Sequence, residues 1–220
     1  MSRVFIISAP SGSGKSTLVN NLLQRDPNLS FSVSYTTRQP RGQERSGEQY
    51  HFTTREDFEK MIAAGEFLEW ADVFGNYYGT RRRDTQRLLD SGLDVALVID
   101  VQGAVQVRNR CADVISVFVL PPSYAALERR MWGGPQESQG GLARPRGGGG
   151  LVARQEVDRY AEYDYVVVND DIGPCVDRLR AIVLAERSRR QGMAVDAEAI
   201  VATFDSSTPG QSGQRPWSTS

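Results

Sequence analysis

The sequence predicts an α/β fold in which helices cover both faces of a parallel sheet, as a three-layer sandwich. Short apolar runs alternate with segments of helical length along most of the 220 residues. This alternation is typical of strand–helix–strand units, whose right-handed crossovers make neighbouring strands parallel. A glycine-rich turn directly after the first apolar run also favours a strand–loop–helix unit at the start of the chain.

The elements follow from apolar runs, capping residues and breakers. Strands are predicted at 3–8, 31–36, 66–74, 75–80, 93–100, 113–120 and 163–168. Helices are predicted at 15–25, 81–91, 102–110 and 173–191, and two more are opened by Thr54 and Ser123. The tail from Asp205 lacks core residues, so we expect it to be disordered.

The first strand leads into a stretch with the composition of a phosphate-binding loop. Its glycines let main-chain N–H groups turn around an anion, and the start of the next helix adds unpaired donors. We expect Lys15 to reach the β- and γ-phosphates of a nucleotide and the Ser16 hydroxyl to contact Mg²⁺. The usual G-x-x-x-x-G-K-[ST] pattern has Ala9 at its first glycine. The predicted nucleotide contacts are Ala9, Pro10, Ser11, Gly12, Ser13, Gly14, Lys15, Ser16 and Thr17.

Two further features favour phosphate chemistry. The polar segment 37–50 carries three arginines and Tyr50, which suit a second anion site, although a solvated loop has the same composition. The strand at 93–100 ends in Asp100, which we expect to help hold Mg²⁺; the alternative is a simple turn aspartate.

The composition excludes several other classes of function. A net charge of −1 gives no footprint for nucleic acid or an acidic membrane, and no apolar run approaches the ~20 residues of a membrane span. Two cysteines and one histidine make a disulfide scaffold, a zinc site or a histidine triad a poor hypothesis. Since Met1-Ser2-Arg3 leads straight into a strand, we expect no signal peptide and a cytoplasmic enzyme.

From about Arg3 to Arg190, the chain resembles the guanylate kinases, which move phosphate from ATP to GMP. The segments that carry the resemblance are Ser8 to Thr17, Ser34-Tyr35-Thr36-Thr37-Arg38 with Pro40-Arg41, Glu69-Trp70-Ala71, Gly75-Asn76-Tyr77-Tyr78-Gly79-Thr80, Asp100-Val101-Gln102-Gly103-Ala104, and Tyr163-Asp164-Tyr165 leading into Asn169-Asp170. The resemblance implies in-line transfer to GMP or dGMP with Mg²⁺, in purine nucleotide metabolism, without a covalent intermediate.

It also implies the organisation of the chain. The fold would be a P-loop α/β sandwich with an inserted mixed α+β GMP-binding domain and a lid. The implied boundaries are core at 1–32, 91–122 and 161–204, GMP-binding insertion at 33–90, lid at 123–160 and a disordered tail at 205–220. The implied partners are ATP and GMP, with no nucleic acid or membrane, in a monomer or homodimer.

Carried over position by position, the resemblance assigns roles to particular side chains. The GMP phosphate would be held by Arg38, Arg41, Tyr50 and Tyr78, and the guanine would be read by Ser34, Glu69 and Thr80. Asn169 would contact the adenosine, and Ser16 and Asp100 would hold Mg²⁺, partly through water. The implied catalytic set is Lys15, Arg38, Arg130, Arg144 and Arg146.

The chain departs from the family pattern at two places. Val98 stands where the family usually has a carboxylate near the guanine, so we expect a raised KM for GMP. Residues 133–150, within the lid, contain eight of the 21 glycines and two prolines, and the first lid arginine is replaced by Gly134. Glycines and prolines at ~1 and ~3 kcal/mol each would destabilise a lid helix, so we expect a flexible loop and a low turnover.

Three alternatives to a fully active enzyme therefore stay open. One is a low-activity or inactive paralogue, which the abnormal lid would explain. A second is a binding module for a phosphate-bearing ligand, although such relatives generally have a degraded phosphate loop, whereas Lys15 and Ser16 are intact here. A third is a related kinase for a sugar phosphate, which would lack the predicted guanine and phosphate contacts.

Overall fold

The computed structural model describes residues 2–10, 13–73, 75–132 and 149–205. These residues fall into two compact units that divide after Ala181. None of the described helices has the length and apolarity that crossing a membrane requires.

Two sheets lie in the unit formed by residues 2–181, where the helices predicted at 15–25, 81–91 and 102–110 begin and end close to the predicted bounds. The strands are β1 (Val4–Ser8), β2 (Leu29–Phe31), β3 (Tyr35–Thr36), β4 (His51–Phe52), β5 (Phe67–Val73), β6 (Asn76–Arg81), β7 (Asp94–Val98), β8 (Val114–Leu120) and β9 (Tyr165–Val168). The α-helices among the described residues are α1 (Lys15–Arg25), α2 (Arg55–Ala63), α3 (Arg82–Asp90), α4 (Val101–Arg110), α5 (Tyr124–Trp132), α6 (Gly149–Asp158), α7 (Ile172–Arg187) and α8 (Arg190–Asp205).

The larger sheet confirms the predicted parallel core. Its strand order is β2-β7-β1-β8-β9, and every neighbouring pair is parallel. Both faces of the central strands are covered, since Ile6 and Leu97 are buried on one face and Phe5 and Ala96 on the other, and the strands are accordingly apolar on both sides. The phosphate-loop candidate follows β1, so it lies at the carboxyl edge of the sheet, where ligands of open α/β sheets bind.

The smaller sheet is mixed and has the order β4-β3-β6-β5. The β5–β6 and β3–β6 pairs are antiparallel, and β3 pairs with β4 in parallel. Helix α2 begins as predicted, because the Thr54 hydroxyl accepts a hydrogen bond of 3.1 Å from the Asp57 N–H. Its Phe58 ring stacks on Phe67 of β5 with centroids 4.4 Å apart, which joins the helix to this sheet.

Three predictions about elements need correction. The single strand expected at 31–36 is two strands. The Ser32 N–H donates to the Ala96 carbonyl of the parallel sheet, whereas the Ser34 carbonyl accepts from the His51 N–H of the smaller sheet, so the chain changes sheets between these two residues. The predicted end of the loop at residue 150 is wrong, because α6 already begins at Gly149. The single helix expected at 173–191 is wrong, because α7 ends at Arg187 and α8 begins at Arg190. Helices α6 and α8 were not predicted. The rest of that loop and the tail from 206 lie outside the described residues.

Candidate active site

The loop between β1 and α1 is held by its own main chain and by Lys15. Gly14 adopts a left-handed conformation with φ 87°, which favours glycine, and it directly precedes the first residue of α1. The Lys15 ammonium donates a hydrogen bond of 2.8 Å to the Ala9 carbonyl. Ser11 and Gly12 lie outside the described residues, whereas Ala9, Pro10, Ser13, Ser16 and Thr17 lie on the described part of the strand–loop–helix unit.

Two opposing influences act on the Lys15 ammonium. Burial lowers the pKa of Lys15 below its ordinary value, while the charges of Asp100 and Glu156 act in the opposite direction. Both carboxylates line a cavity that Lys15 also lines. The loop lysine is therefore a half-buried amine that shares a cavity with two acidic side chains.

Asn169 and Arg130 converge on the same atom of the loop. The Asn169 amide donates to the Ser13 carbonyl at 2.9 Å, and Arg130 Nη1 reaches the same carbonyl at 3.3 Å. Arg130 Nη2 also donates to the Asn169 carbonyl at 3.0 Å. These bonds tie α5 and the end of β9 to the loop. The two other predicted arginines, Arg144 and Arg146, lie outside the described residues.

Most of the remaining predicted residues line two cavities with shared walls. One, of ≈ 510 Å³, is lined by Ser16, Ser34, Arg38, Arg41, Tyr50, Tyr78 and Val98 among others. The second, of ≈ 500 Å³, is lined by Lys15, Ser16, Ser34, Tyr50, Glu69, Tyr78, Val98 and Asp100 among others. The structure thus brings residues from both sheets and from the loop around these two adjoining cavities, which together are the opening of the candidate site.

The basic part of this opening is organised by a carboxylate that sequence reasoning missed. Glu44 pairs with Arg38 at 2.9 Å and accepts a hydrogen bond of 2.8 Å from the Arg41 N–H. The hydrogen bond from Arg38 lowers the pKa of Glu44, although burial opposes that shift. The Arg38 guanidinium also lies 5.4 Å from the centroid of the Tyr50 ring, and Tyr50 contacts Tyr78 edge-on. The only available signal was the spacing of Glu44 three residues after Arg41.

The acidic part of the opening lies between the two long strands of the smaller sheet. Glu69 of β5 and Thr80 of β6 are cross-strand partners, and the Thr80 hydroxyl donates to Glu69 Oε1 at 2.6 Å. Both side chains are buried, as is Ser34. Burial raises the pKa of Glu69 to about 7, and the hydrogen bond from Thr80 opposes that rise. A buried carboxylate with one bonded oxygen can accept further hydrogen bonds from a flat polar ligand.

Asp100 has a structural role that sequence reasoning offered only as an alternative. It is the N-cap of α4, where its Oδ1 accepts a hydrogen bond of 2.8 Å from the Gly103 N–H. The remaining lone pairs of the carboxylate and the exposed Ser16 hydroxyl are the oxygen donors that Mg²⁺ prefers, and this ion usually takes only one or two protein ligands beside phosphates and water. No group of three or more His, Cys, Asp or Glu residues that could hold a metal occurs in the described parts of the chain.

Comparisons with known proteins agree in one family. The family model described as guanylate kinase matches residues 1–186. A guanylate kinase of Koribacter versatilis is 47% identical over 201 residues, covering 89% of this chain and 83% of that protein. One of Alkalilimnicola ehrlichii is 48% identical over 186 residues, covering 84% and 90%. The crystal structure of guanylate kinase from Anaplasma phagocytophilum matches with a TM-score of 0.69 at 35% identity, covering 86% of this chain and 87% of that one.

Proposed function

Because the chain belongs to the guanylate kinase family, it is an enzyme of that class, and we propose that it transfers the γ-phosphate of ATP to GMP and dGMP with Mg²⁺. The observation that supports the proposal most directly is the buried Glu69 carboxylate, which is bonded to Thr80 and lines the same cavity as the loop lysine. The predicted base-reading group and the predicted phosphate-binding group thus face one space.

The proposed acceptor is GMP because the polar groups match its edge. The Glu69 carboxylate accepts from the N1–H and 2-amino group of guanine, and the Ser34 hydroxyl donates toward O6. Thr80 supports this recognition by donating its hydroxyl to Glu69. Adenine reverses the polarity at its 6-position and lacks the 2-amino group, so AMP would leave buried groups unpaired. Arg38, Arg41, Tyr50 and Tyr78 then bind the GMP phosphate through guanidinium and phenol donors.

The proposed donor site is the loop that contains Lys15. Lys15 neutralises the β- and γ-phosphates, and Asn169 contacts the adenosine while also donating to the Ser13 carbonyl. Arg130, Arg144 and Arg146 are proposed to stabilise charge on the transferred group. Bound Mg²⁺, held by Ser16 and Asp100 partly through water, supplies charge neutralisation on the phosphates.

The domain assignments are part of the same proposal. Residues 33–90 form the GMP-binding insertion around the smaller sheet, and 123–160 form the lid. The proposed substrates are nucleotides of the cytoplasm, so the proposal includes a cytoplasmic site of action in purine nucleotide metabolism, and it includes a monomer or homodimer.

A coupled ADP-release assay with ATP and a panel of acceptors tests the proposal. We expect turnover with GMP and dGMP, at least 10³-fold lower kcat/KM with AMP, and none with ribose 5-phosphate, because the polar base site rejects acceptors that leave it unpaired. Chelation of Mg²⁺ should abolish the activity. An enzyme that binds ATP by calorimetry but transfers phosphate to no member of the panel would contradict the proposal and favour the binding-module alternative.

The lid sequence calls for a second experiment. Since Gly134 stands where the family has an arginine, we expect a turnover below that of typical relatives assayed in parallel. Gly134→Arg should raise kcat while leaving the KM for GMP unchanged, because the restored donor acts on the transferred phosphate. A turnover equal to that of the relatives would show that the glycine-rich segment is tolerated.

A further inference from the structure

Helix α4 presents three residues of one face to strand β5, on either side of Glu69. Gly103, Gln106 and Arg110 are spaced i, i+3 and i+7, which places them along one stripe of a helix. Each of them meets a different part of β5. Gln106 and Arg110 contact the main chain of the strand, whereas Gly103 lies against the carboxylate of Glu69.

The two longer side chains bind the main chain next to Glu69. The Gln106 amide pairs with both polar groups of Trp70, donating to its carbonyl at 2.8 Å and accepting from its N–H at 3.2 Å. Arg110 Nη1 donates to the carbonyls of Phe67 and Leu68 at 3.0 and 2.7 Å. The strand is therefore fixed to α4 immediately before and immediately after Glu69.

Gly103 meets the carboxylate itself. A Cβ atom at this position would lie 2.7 Å from Glu69 Oε2 and 3.2 Å from Glu69 Cδ, so no larger residue fits without moving that carboxylate. On its other side the same carboxylate accepts the 2.6 Å bond from Thr80. The Gly103 N–H meanwhile donates to Asp100, which lines the same cavity as Glu69. Glu69 is thus confined between the bare Cα of Gly103 and the Thr80 hydroxyl.

We propose that Gly103 is a specificity-determining positioning residue, which acts by leaving the space that the Glu69 carboxylate occupies. This inference rests on the proposed recognition of GMP by Glu69. A carboxylate that accepts from both N1–H and the 2-amino group must lie in the plane of the base, and displacements of about 1 Å can cost 10²-fold in rate. Helix stability alone gives no reason for glycine here, because alanine is the better helix former.

The test is Gly103→Ala, assayed with GMP and with inosine monophosphate, which lacks the 2-amino group. We expect the KM for GMP to rise at least tenfold and the GMP-over-inosine-monophosphate ratio of kcat/KM to fall by a similar factor. The KM for ATP should stay within twofold. Gly173→Ala is the matched control, since a Cβ there meets only Asp171 Oδ1 at 4.0 Å; it should leave all constants unchanged.

A double-mutant cycle separates positioning from a general structural effect. If Gly103 acts through Glu69, then Gly103→Ala should change the KM for GMP by less than twofold in a Glu69→Ala background. An equal tenfold rise in both backgrounds would overturn the inference. Gln106→Leu is the second variant should Gly103→Ala fail to fold. It too should raise the KM for GMP and lower the GMP-over-inosine-monophosphate ratio of kcat/KM. Unchanged constants would overturn the inference.

The outcomes also separate this inference from the proposed function. If the wild-type enzyme phosphorylates GMP and the Gly103→Ala variant has the same kinetic constants, only the role of Gly103 is overturned. A wild-type protein that neither binds nor phosphorylates GMP would overturn both.

Discussion

The Arg38 guanidinium lies 2.9 Å from the Glu44 carboxylate, and the same carboxylate accepts the main-chain N–H of Arg41. One acidic side chain thereby fixes two arginines that are predicted to bind the GMP phosphate. Its negative charge also competes with that phosphate. Variants that remove only the charge and variants that remove the whole group should therefore differ in their KM for GMP.

We predict that Glu44→Ala raises the KM for GMP about tenfold, because the loop around Arg41 loses its acceptor and Arg38 its partner. Glu44→Gln keeps an acceptor for the Arg41 N–H while removing the competing charge, so its KM for GMP should stay within threefold of the wild type. Steady-state kinetics at saturating ATP measure both. Equal KM values for the two variants would show that Glu44 does not organise the arginines.

Lys15 and Lys60 are the only lysines of the chain, and they make a matched pair for a second prediction. Lys15→Met should lower kcat by about 10²–10³-fold, since it removes a preorganised donor to the transferred phosphate. Lys60→Met is the control: that side chain is 66% exposed and pairs with Glu56 on the surface of α2, where ion pairs contribute little. Thermal unfolding should show both variants folded. A Lys15→Met enzyme with kcat reduced less than fivefold would contradict the assigned role.

The pKa of Glu69, raised to about 7 by burial, predicts a pH-dependent selectivity. Only the ionised carboxylate accepts both guanine donors, so kcat/KM for GMP should rise as the pH increases through about 7. Asp100 supports the raised pKa by repulsion, and Arg110 opposes it. GMP contributes its own phosphate titration near pH 6, so Glu69→Gln is the required control. The plot of kcat/KM for GMP against pH should show an additional rise in the wild type that Glu69→Gln lacks. Identical plots would contradict the prediction.

The raised pKa of Glu69 also predicts that the free energy of unfolding depends on pH. Between about pH 4.5 and 7 the unfolded chain has ionised Glu69 while the folded chain keeps it protonated, so the folded state binds more protons. The free energy of unfolding should therefore fall as the pH rises through this window. Urea titrations of the wild type and of Glu69→Gln should differ in slope there, and parallel curves would show that Glu69 titrates normally in the folded protein.

The parallel core was predictable because its signals are local. The apolar run before Ser8 and the Gly14-Lys15-Ser16 turn each depend on residues a few positions apart, as does the Thr54 cap of α2 beside the smaller sheet. The division of the strand expected at 31–36 depends instead on which distant partners the main chain meets, Ala96 for Ser32 and His51 for Ser34. An alternating pattern alone cannot indicate which sheet a residue joins.

The candidate site was predictable only in part, for the same physical reason. Lys15, Arg38 and Glu69 belong to motifs that resemble those of relatives, and their roles remain predictions. The contacts of Gln106 with Trp70 join residues 36 positions apart, and the clash distance at Gly103 exists only once α4 packs on β5. No periodicity in the sequence encodes those contacts.

Val98 is the last residue of β7 and lines both cavities, at a position where the resemblance to the family implies a carboxylate. We predict that Val98→Asp lowers the KM for GMP by about tenfold, as expected for one added charge-assisted hydrogen bond to the base. The new charge also repels Glu69, so the measurement belongs at pH 8, above the raised pKa of that carboxyl. Val98→Asn has nearly the same shape as Val98→Asp but no charge, so it should give less than half of the gain in binding free energy for GMP. Unchanged KM values for GMP in Val98→Asp would show that the apolar side chain is not what limits guanine affinity.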